Sequence, residues 1–206
     1  MLSEIFKLFW KTVERKDKRR INSQTSPTEI EQFCDIQYID DGLWQHRLDV
    51  YSKSGKLSHR PVIIDIHGGG WMYGTKEINK NYCLVLAQKD YVVVNINYRL
   101  APDFSVADQL RDCFFAFKWV STNIEKYGGD LNNVTGDSAG GFLAAYSALL
   151  NSSEKLRKIF GVTESGLEFR ACGLTSPVCF MNTHTFQDVY YSRVKGKEFS
   201  ESTLRG

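Results

Sequence analysis

The chain has 206 residues, enough for one domain with little left over for a second. Lys and Arg total 26 against 24 Asp and Glu, a net charge of +2 that gives no case for nucleic acid as a main partner. Hydrophobic residues at 42% and charged residues at 24% exclude a disordered chain, a collagen-like chain and a membrane bundle.

The N-terminus carries apolar residues at Leu2, Ile5, Phe6, Leu8, Phe9 and Trp10, interrupted by Lys7 and followed by Lys11. A signal peptide needs an unbroken apolar stretch and a small-residue cleavage site, and neither is present. With the basic run Arg15 to Arg20, including Lys16, Lys18 and Arg19, the segment reads as an amphipathic helix on the domain surface. Contact with a membrane surface is the alternative use of such a helix, without stable insertion. Residues 22–30 are polar, contain Pro27 and make a connector, so residues 1–30 read as a cap-like unit and 31–206 as the main domain. The five cysteines, Cys34, Cys83, Cys113, Cys172 and Cys179, form no CxxC or metal pattern. They predict reduced, mostly buried thiols in a cytoplasmic protein.

Two β-like runs follow, Cys34 to Ile39 and Trp44 to Tyr51, around the turn signal Asp40-Asp41-Gly42, which predicts a hairpin. Val62 to Ile66 and Tyr91 to Ile96 are short, nearly continuous apolar runs, the pattern of parallel strands buried on both faces. A helix is expected between them, over Ile78 to Lys89. From Val106, apolar residues recur at Leu110, Cys113, Phe114, Phe117, Val120, Ile124 and Tyr127, one face of a helix stopped by Gly128-Gly129. That aromatic stripe reads as core packing. Phe142 to Leu150 is a third helix and Ala171 to Phe180 a further strand. This alternation predicts an α/β fold: a mostly parallel sheet with helices on both faces and an N-terminal β-hairpin.

Two glycine-rich segments follow strands directly. His67-Gly68-Gly69-Gly70-Trp71 lets the backbone approach a substrate and turn N–H groups inward, as a developing oxyanion requires. Gly136-Asp137-Ser138-Ala139-Gly140-Gly141 contains G-x-S-x-G, which sets a serine on a sharp strand-to-helix turn. Gly136 and Gly140 avoid steric clash around that turn, and the helix dipole behind the serine favours negative charge.

With Asn97-Tyr98-Arg99-Leu100-Ala101-Pro102 between them, these segments resemble the hormone-sensitive-lipase-type branch of the α/β-hydrolases, a family of serine esterases and lipases. The resemblance runs from about Phe33 to about Phe180. It implies a carboxylesterase or lipase that acts on small-molecule esters through an acyl-enzyme, without metal or cofactor. It also implies Ser138 as nucleophile and the N–H groups of Gly69, Gly70 and Ala139 as oxyanion hole. His67 would orient the glycine loop, Asp137 would assist beside the nucleophile, and Arg99 would hold a buried structural turn. Related folds cleave amides, peptides and acetylated sugars, so the substrate stays open, as does the oligomeric state.

Two departures from the family pattern qualify that expectation. The family order is serine, acid, histidine. After Ser138 the one histidine is His184, the acids include Asp188, Glu198 and Glu201, and His184 precedes Asp188. That order argues against the pair as base and acid, and predicts an incomplete α/β-hydrolase domain of weak activity. The alternative is a non-enzymatic fragment or an acyl-binding protein. The strand into the elbow, Leu131-Asn132-Asn133-Val134-Thr135, has two fewer β-formers than usual. It is expected to be about 7 Å short, which would set Ser138 low.

Overall fold

A computed structural model describes residues 2–55 and 59–179. Among the described residues six strands form one sheet in the order β1-β2-β4-β3-β5-β6. They are β1 (Ile30–Gln37), β2 (Arg47–Lys53), β3 (Arg60–Ile66), β4 (Val92–Ile96), β5 (Gly129–Asp137) and β6 (Phe169–Thr175). The hairpin strands β1 and β2 are antiparallel, and β2 joins β4 antiparallel. The β4-β3, β3-β5 and β5-β6 pairs are all parallel. The predicted mixed, mostly parallel sheet is therefore observed. Of the expected Trp44 to Tyr51 run, Trp44–His46 is a 3₁₀ turn, and the strand begins at Arg47.

Every residue of β4 is buried, and Val62, Ile64 and Ile66 of β3 have no solvent exposure. Helices α2 (Lys80–Gln88), α3 (Val106–Asn123) and α4 (Ala139–Asn151) pack on the sheet, α5 (Glu154–Phe160) packs against α3 and α4, and α1 (Leu2–Ser23) lies against the segment around Tyr73 and Ile78. In α3, Ser105 and Asp108 close a reciprocal capping box, and Leu110, Cys113, Phe114, Phe117 and Val120 are buried as their spacing predicts. The helix stops at Asn123. A 3₁₀ turn over Ile124–Tyr127 then carries the chain to Gly128 at φ +82°, a left-handed position that suits glycine.

The strand into the elbow is not short. β5 spans nine residues because it begins directly at Gly129 and recruits residues with little strand propensity. Parallel pairing with β3 overrides that propensity. Between Arg60↔Gly129 and Pro61↔Leu131 one extra residue, Asp130, sits on β5, and Asn133 Nδ2 donates to the Val62 carbonyl at 3.1 Å. Gly136 still pairs with Ile66, so both glycine-rich segments leave the sheet at one level. The cysteine expectation also fails in part: all five are free, but only Cys83 and Cys113 are buried, while Cys34, Cys172 and Cys179 are exposed. His184 and Asp188 lie outside the described residues.

Candidate active site

Ser138 stands between the end of β5 and the first turn of α4, at φ +51° and ψ −114°. A non-glycine residue there is strained, and the surroundings must hold it. Its N–H donates to the Thr175 carbonyl at 2.9 Å, and its carbonyl accepts from Phe142 N and Val178 N. The sharp turn works only because its flanks are glycines. A Cβ on Gly136 would strike the Gly140 carbonyl, and one on Gly140 would strike the Ile66 carbonyl. The first amides of α4, beginning with that of Ala139, have no acceptor within their own helix, so they and the helix dipole converge beside Ser138.

Gly68 to Gly70, from the loop His67 to Trp71, line the same cleft as Ser138. Gly69 (φ +123°) and Gly70 (φ +57°) lie in left-handed backbone, and a Cβ on Gly69 would collide with the Tyr73 carbonyl. Several contacts fix this loop. Asp137 Oδ1 accepts from Gly68 N at 3.0 Å, tying the residue before the serine to the start of the loop. His67 is fully buried, bonds from Nδ1 to the Gly68 carbonyl at 2.7 Å and stacks on Tyr98 at 4.3 Å. Burial pushes its pKa down to about 4, so the ring is neutral. From the Asn97–Pro102 segment, Tyr98 Oη donates to the His67 carbonyl and Ala101 N to the Trp71 carbonyl. Arg99 grips the buried Asp112 carboxylate at 2.6–3.0 Å and lies over the Phe104 ring. Asp112 also faces His46 Nε2 at 3.2 Å, while His46 Nδ1 meets Asp41 at 2.7 Å. Burial lowers the His46 pKa, but the Asp112 and Asp41 contacts outweigh it and the net shift is upward.

Sequence reasoning missed a second layer beneath the loop. Asn79 Nδ2 donates to Asp137 Oδ1 and to Asp65 Oδ2, both at 2.9 Å. Asp65 is buried in β3, and desolvation, with the Asp137 charge adding to it, raises its pKa to about 7 against the opposing Asn79 bond. The signal was an acid inside the apolar run Val62 to Ile66.

The cleft between these parts holds about 380 Å³. Gly69, Gly70, Asp137 and Ser138 line one side, and Trp10, Val13, Asp17 and Arg20 of α1 line the other. Helix α1 is held there by Trp10 stacked on Tyr73 at 5.3 Å, by Tyr73 Oη donating to Asp17 at 3.2 Å, and by Arg20 donating to the Ile78 carbonyl at 3.2 Å. The predicted surface helix is thus a wall of the cleft. Neither His46, His59 nor His67 is among the lining residues. Among the described residues no group of three or more His, Cys, Asp or Glu is placed to hold a metal ion.

The chain is similar in sequence and fold to known esterases. The BD-FAE family model matches residues 48–181. A versiconal hemiacetal acetate esterase of Dothistroma septosporum is 36% identical over 112 residues, covering 53% of this chain and 33% of the relative. Carboxylesterase NlhH of Mycobacterium tuberculosis is 34% identical over 113 residues, covering 53% of this chain and 35% of the relative. The crystal structure of esterase B of Lactobacillus rhamnosis inhibited by a C4-C4 tributyrin phosphonate aligns with a TM-score of 0.89 at 31% identity, covering 99% of this chain and 67% of that one. The chain therefore spans about a third of the length of these two curated relatives and two thirds of the solved esterase. Its family match and its sheet, with a serine turn and a glycine loop meeting at one cleft, make this chain a member of the BD-FAE family, with the α/β-hydrolase fold of its esterase relatives.

Proposed function

We propose that the protein is a serine hydrolase of carboxylic esters, with Ser138 as nucleophile. The observation that carries this reading is the shared cleft: Ser138, strained at the N-terminus of α4, and a loop of left-handed glycines line one space of small-molecule size. Ser138 Oγ attacks the ester carbonyl carbon and the alcohol leaves. The resulting acyl-serine is then hydrolysed by water, which regenerates the hydroxyl. The carbonyl oxygen, negative in each tetrahedral intermediate, is met by the N–H groups of Gly69, Gly70 and Ala139. Removing one such donor costs about 10²–10³ in rate. Asp137 serves by holding Gly68, and therefore the loop, in register with the serine. His67 and Arg99 support the loop from beneath and take no proton from substrate; the buried, neutral His67 fits that role.

Deprotonating Ser138 needs a base, and none of the three described histidines lines the cleft. Weak turnover is part of the proposal because His184, outside the described residues, precedes Asp188 against the serine–acid–histidine order, and loss of the base from a comparable triad costs about 10⁶ in kcat. The test is hydrolysis of a short-chain nitrophenyl ester alongside labelling by an alkyl phosphonate. Slow hydrolysis and labelling, both lost in Ser138→Ala, support the assignment. Labelling that survives in Ser138→Ala refutes Ser138 as the nucleophile, and rapid turnover by these 206 residues refutes the need for a further base.

A further inference from the structure

Helix α1 has two working faces. Trp10, Val13 and Asp17 face the cleft, while Leu8, Phe9, Lys11, Arg15, Lys16, Lys18 and Arg19 are exposed. Leu8 is 68% and Phe9 56% exposed, high for large apolar side chains on a folded surface. The steps of three and four from Leu8 to Lys11, Arg15 and Arg19 put them on one stripe. Leu2–Ser23 holds seven Lys and Arg against three acids, a net of +4 in a chain whose total is +2, so the rest of the chain is net negative. The positive charge is thus concentrated on one helix, beside exposed leucine and phenylalanine. No helix among the described residues is long and apolar enough to cross a membrane.

We propose that the outward face of α1 docks the protein on an anionic lipid surface, with Leu8 and Phe9 entering the headgroup region and Lys11, Arg15 and Arg19 meeting the lipid charges. Cationic helices with an apolar edge bind this way, each cation contributing about 1 kcal/mol near an anionic surface. The apolar pair separates this partner from nucleic acid, for which cations alone suffice. The Phe9 ring meets Trp10 edge-on at 5.1 Å, and Trp10 stacks on Tyr73, whose N–H donates to the Gly69 carbonyl. An aromatic path therefore runs from the docking face to the oxyanion loop. Docking would set the cleft within about one helix diameter, some 10 Å, of the headgroups. Esters that partition into lipid would then be the favoured substrates, a consequence that rests on the esterase reading.

The experiment is co-sedimentation of the full chain with phosphatidylcholine vesicles, with and without phosphatidylglycerol, at low and high salt. Hydrolysis is not measured, so the outcome is independent of the role of Ser138. The expected result is binding to the anionic vesicles at least tenfold tighter than to the neutral ones, weakened by salt. At about fivefold per cation, Arg15→Glu with Arg19→Glu should weaken it by at least twenty-five-fold. Leu8→Ser with Phe9→Ser should weaken it by about tenfold, because apolar contact is lost while every charge is kept. Equal binding to both vesicles, or none, overturns the proposal. So does an unchanged affinity of the Leu8→Ser, Phe9→Ser variant together with tight binding to duplex DNA, which would make the face a site for polyanions in general. The variants lie on the exposed face, and a thermal melt matching the parent shows that the fold is intact.

Discussion

Asp65→Asn tests the layer beneath the glycine loop through pH-dependent stability. Asp65 is 1% exposed, and its pKa is raised from 3.8 to about 7 by burial and then by Asp137. A carboxyl with a raised folded-state pKa binds its proton more tightly in the native chain. It therefore contributes stability that is full below the unfolded pKa and lost as pH rises through the folded one. Between pH 5 and pH 8 the folded pKa of about 7 predicts a loss of about 2–3 kcal/mol from this one group. The substituted amide keeps an oxygen to accept from Asn79 and has no charge to desolvate. The assay is urea unfolding of both proteins at pH 5 and pH 8. His46, whose pKa is also raised, loses its contribution over the same direction of pH. It does so equally in both proteins, so the difference in their pH dependence isolates Asp65. Parent stability should fall more steeply than that of the variant by about 2 kcal/mol or more. Parallel pH profiles, within about 0.5 kcal/mol, would show that Asp65 is ionised at neutral pH and that the account of the Asp65–Asn79–Asp137 layer is wrong.

Three further substitutions test separate contacts. Gly140→Ala drives a Cβ into the Ile66 and His67 carbonyls and should cost about 3 kcal/mol of stability by denaturant titration, since neither backbone can yield without moving Ser138. Asp112→Ala leaves Arg99 and His46 without their shared carboxylate and should cost about 3–5 kcal/mol, with Asn97–Pro102 amides exchanging faster; an unchanged melt would count against Asp112 as the anchor of that segment. Trp10→Ala removes the stack on Tyr73, about 0.5–1.5 kcal/mol. Hydrogen exchange should then quicken in α1 and at Tyr73 while β3 and β4 stay protected, and uniform exchange throughout would mean that α1 is not a separable wall.

What the sequence revealed divides by the range of the interaction. The apolar runs of β3 and β4 and the stripe of α3 are local patterns with a fixed period, and they placed the sheet centre correctly. Gly136 and Gly140 were legible for the same reason, because a strand-to-helix turn is a constraint within five residues. Local patterns failed where a neighbour decides. Residues 129–133 have poor strand propensity, and a reading of propensity shortens the strand. Pairing with β3 extends it back to Gly129, takes up Asp130 as an extra residue and keeps Gly136 opposite Ile66. The seven-residue helix α5 escaped notice although Ser153 accepts from Leu156 N at its start and Gly161 closes it at φ +64°, because two turns give periodicity too little length to register.

The contacts beneath the site lie further still from sequence. Asn79 is 14 residues from Asp65 and 58 from Asp137 along the chain, and only the parallel β3-β5 register brings the two acids to one amide. The placement of α1 is of the same kind. Its amphipathic pattern shows that one face must be covered, but not by what. Tyr73, which bonds the Gly69 carbonyl through its N–H and lies 56 residues from Asp17, supplies the answer. The loop that would hold the oxyanion and the helix that walls the cleft are therefore joined through one aromatic residue. A change at Trp10 or Asp17 should consequently be felt at Gly69, although neither residue takes part in the chemistry.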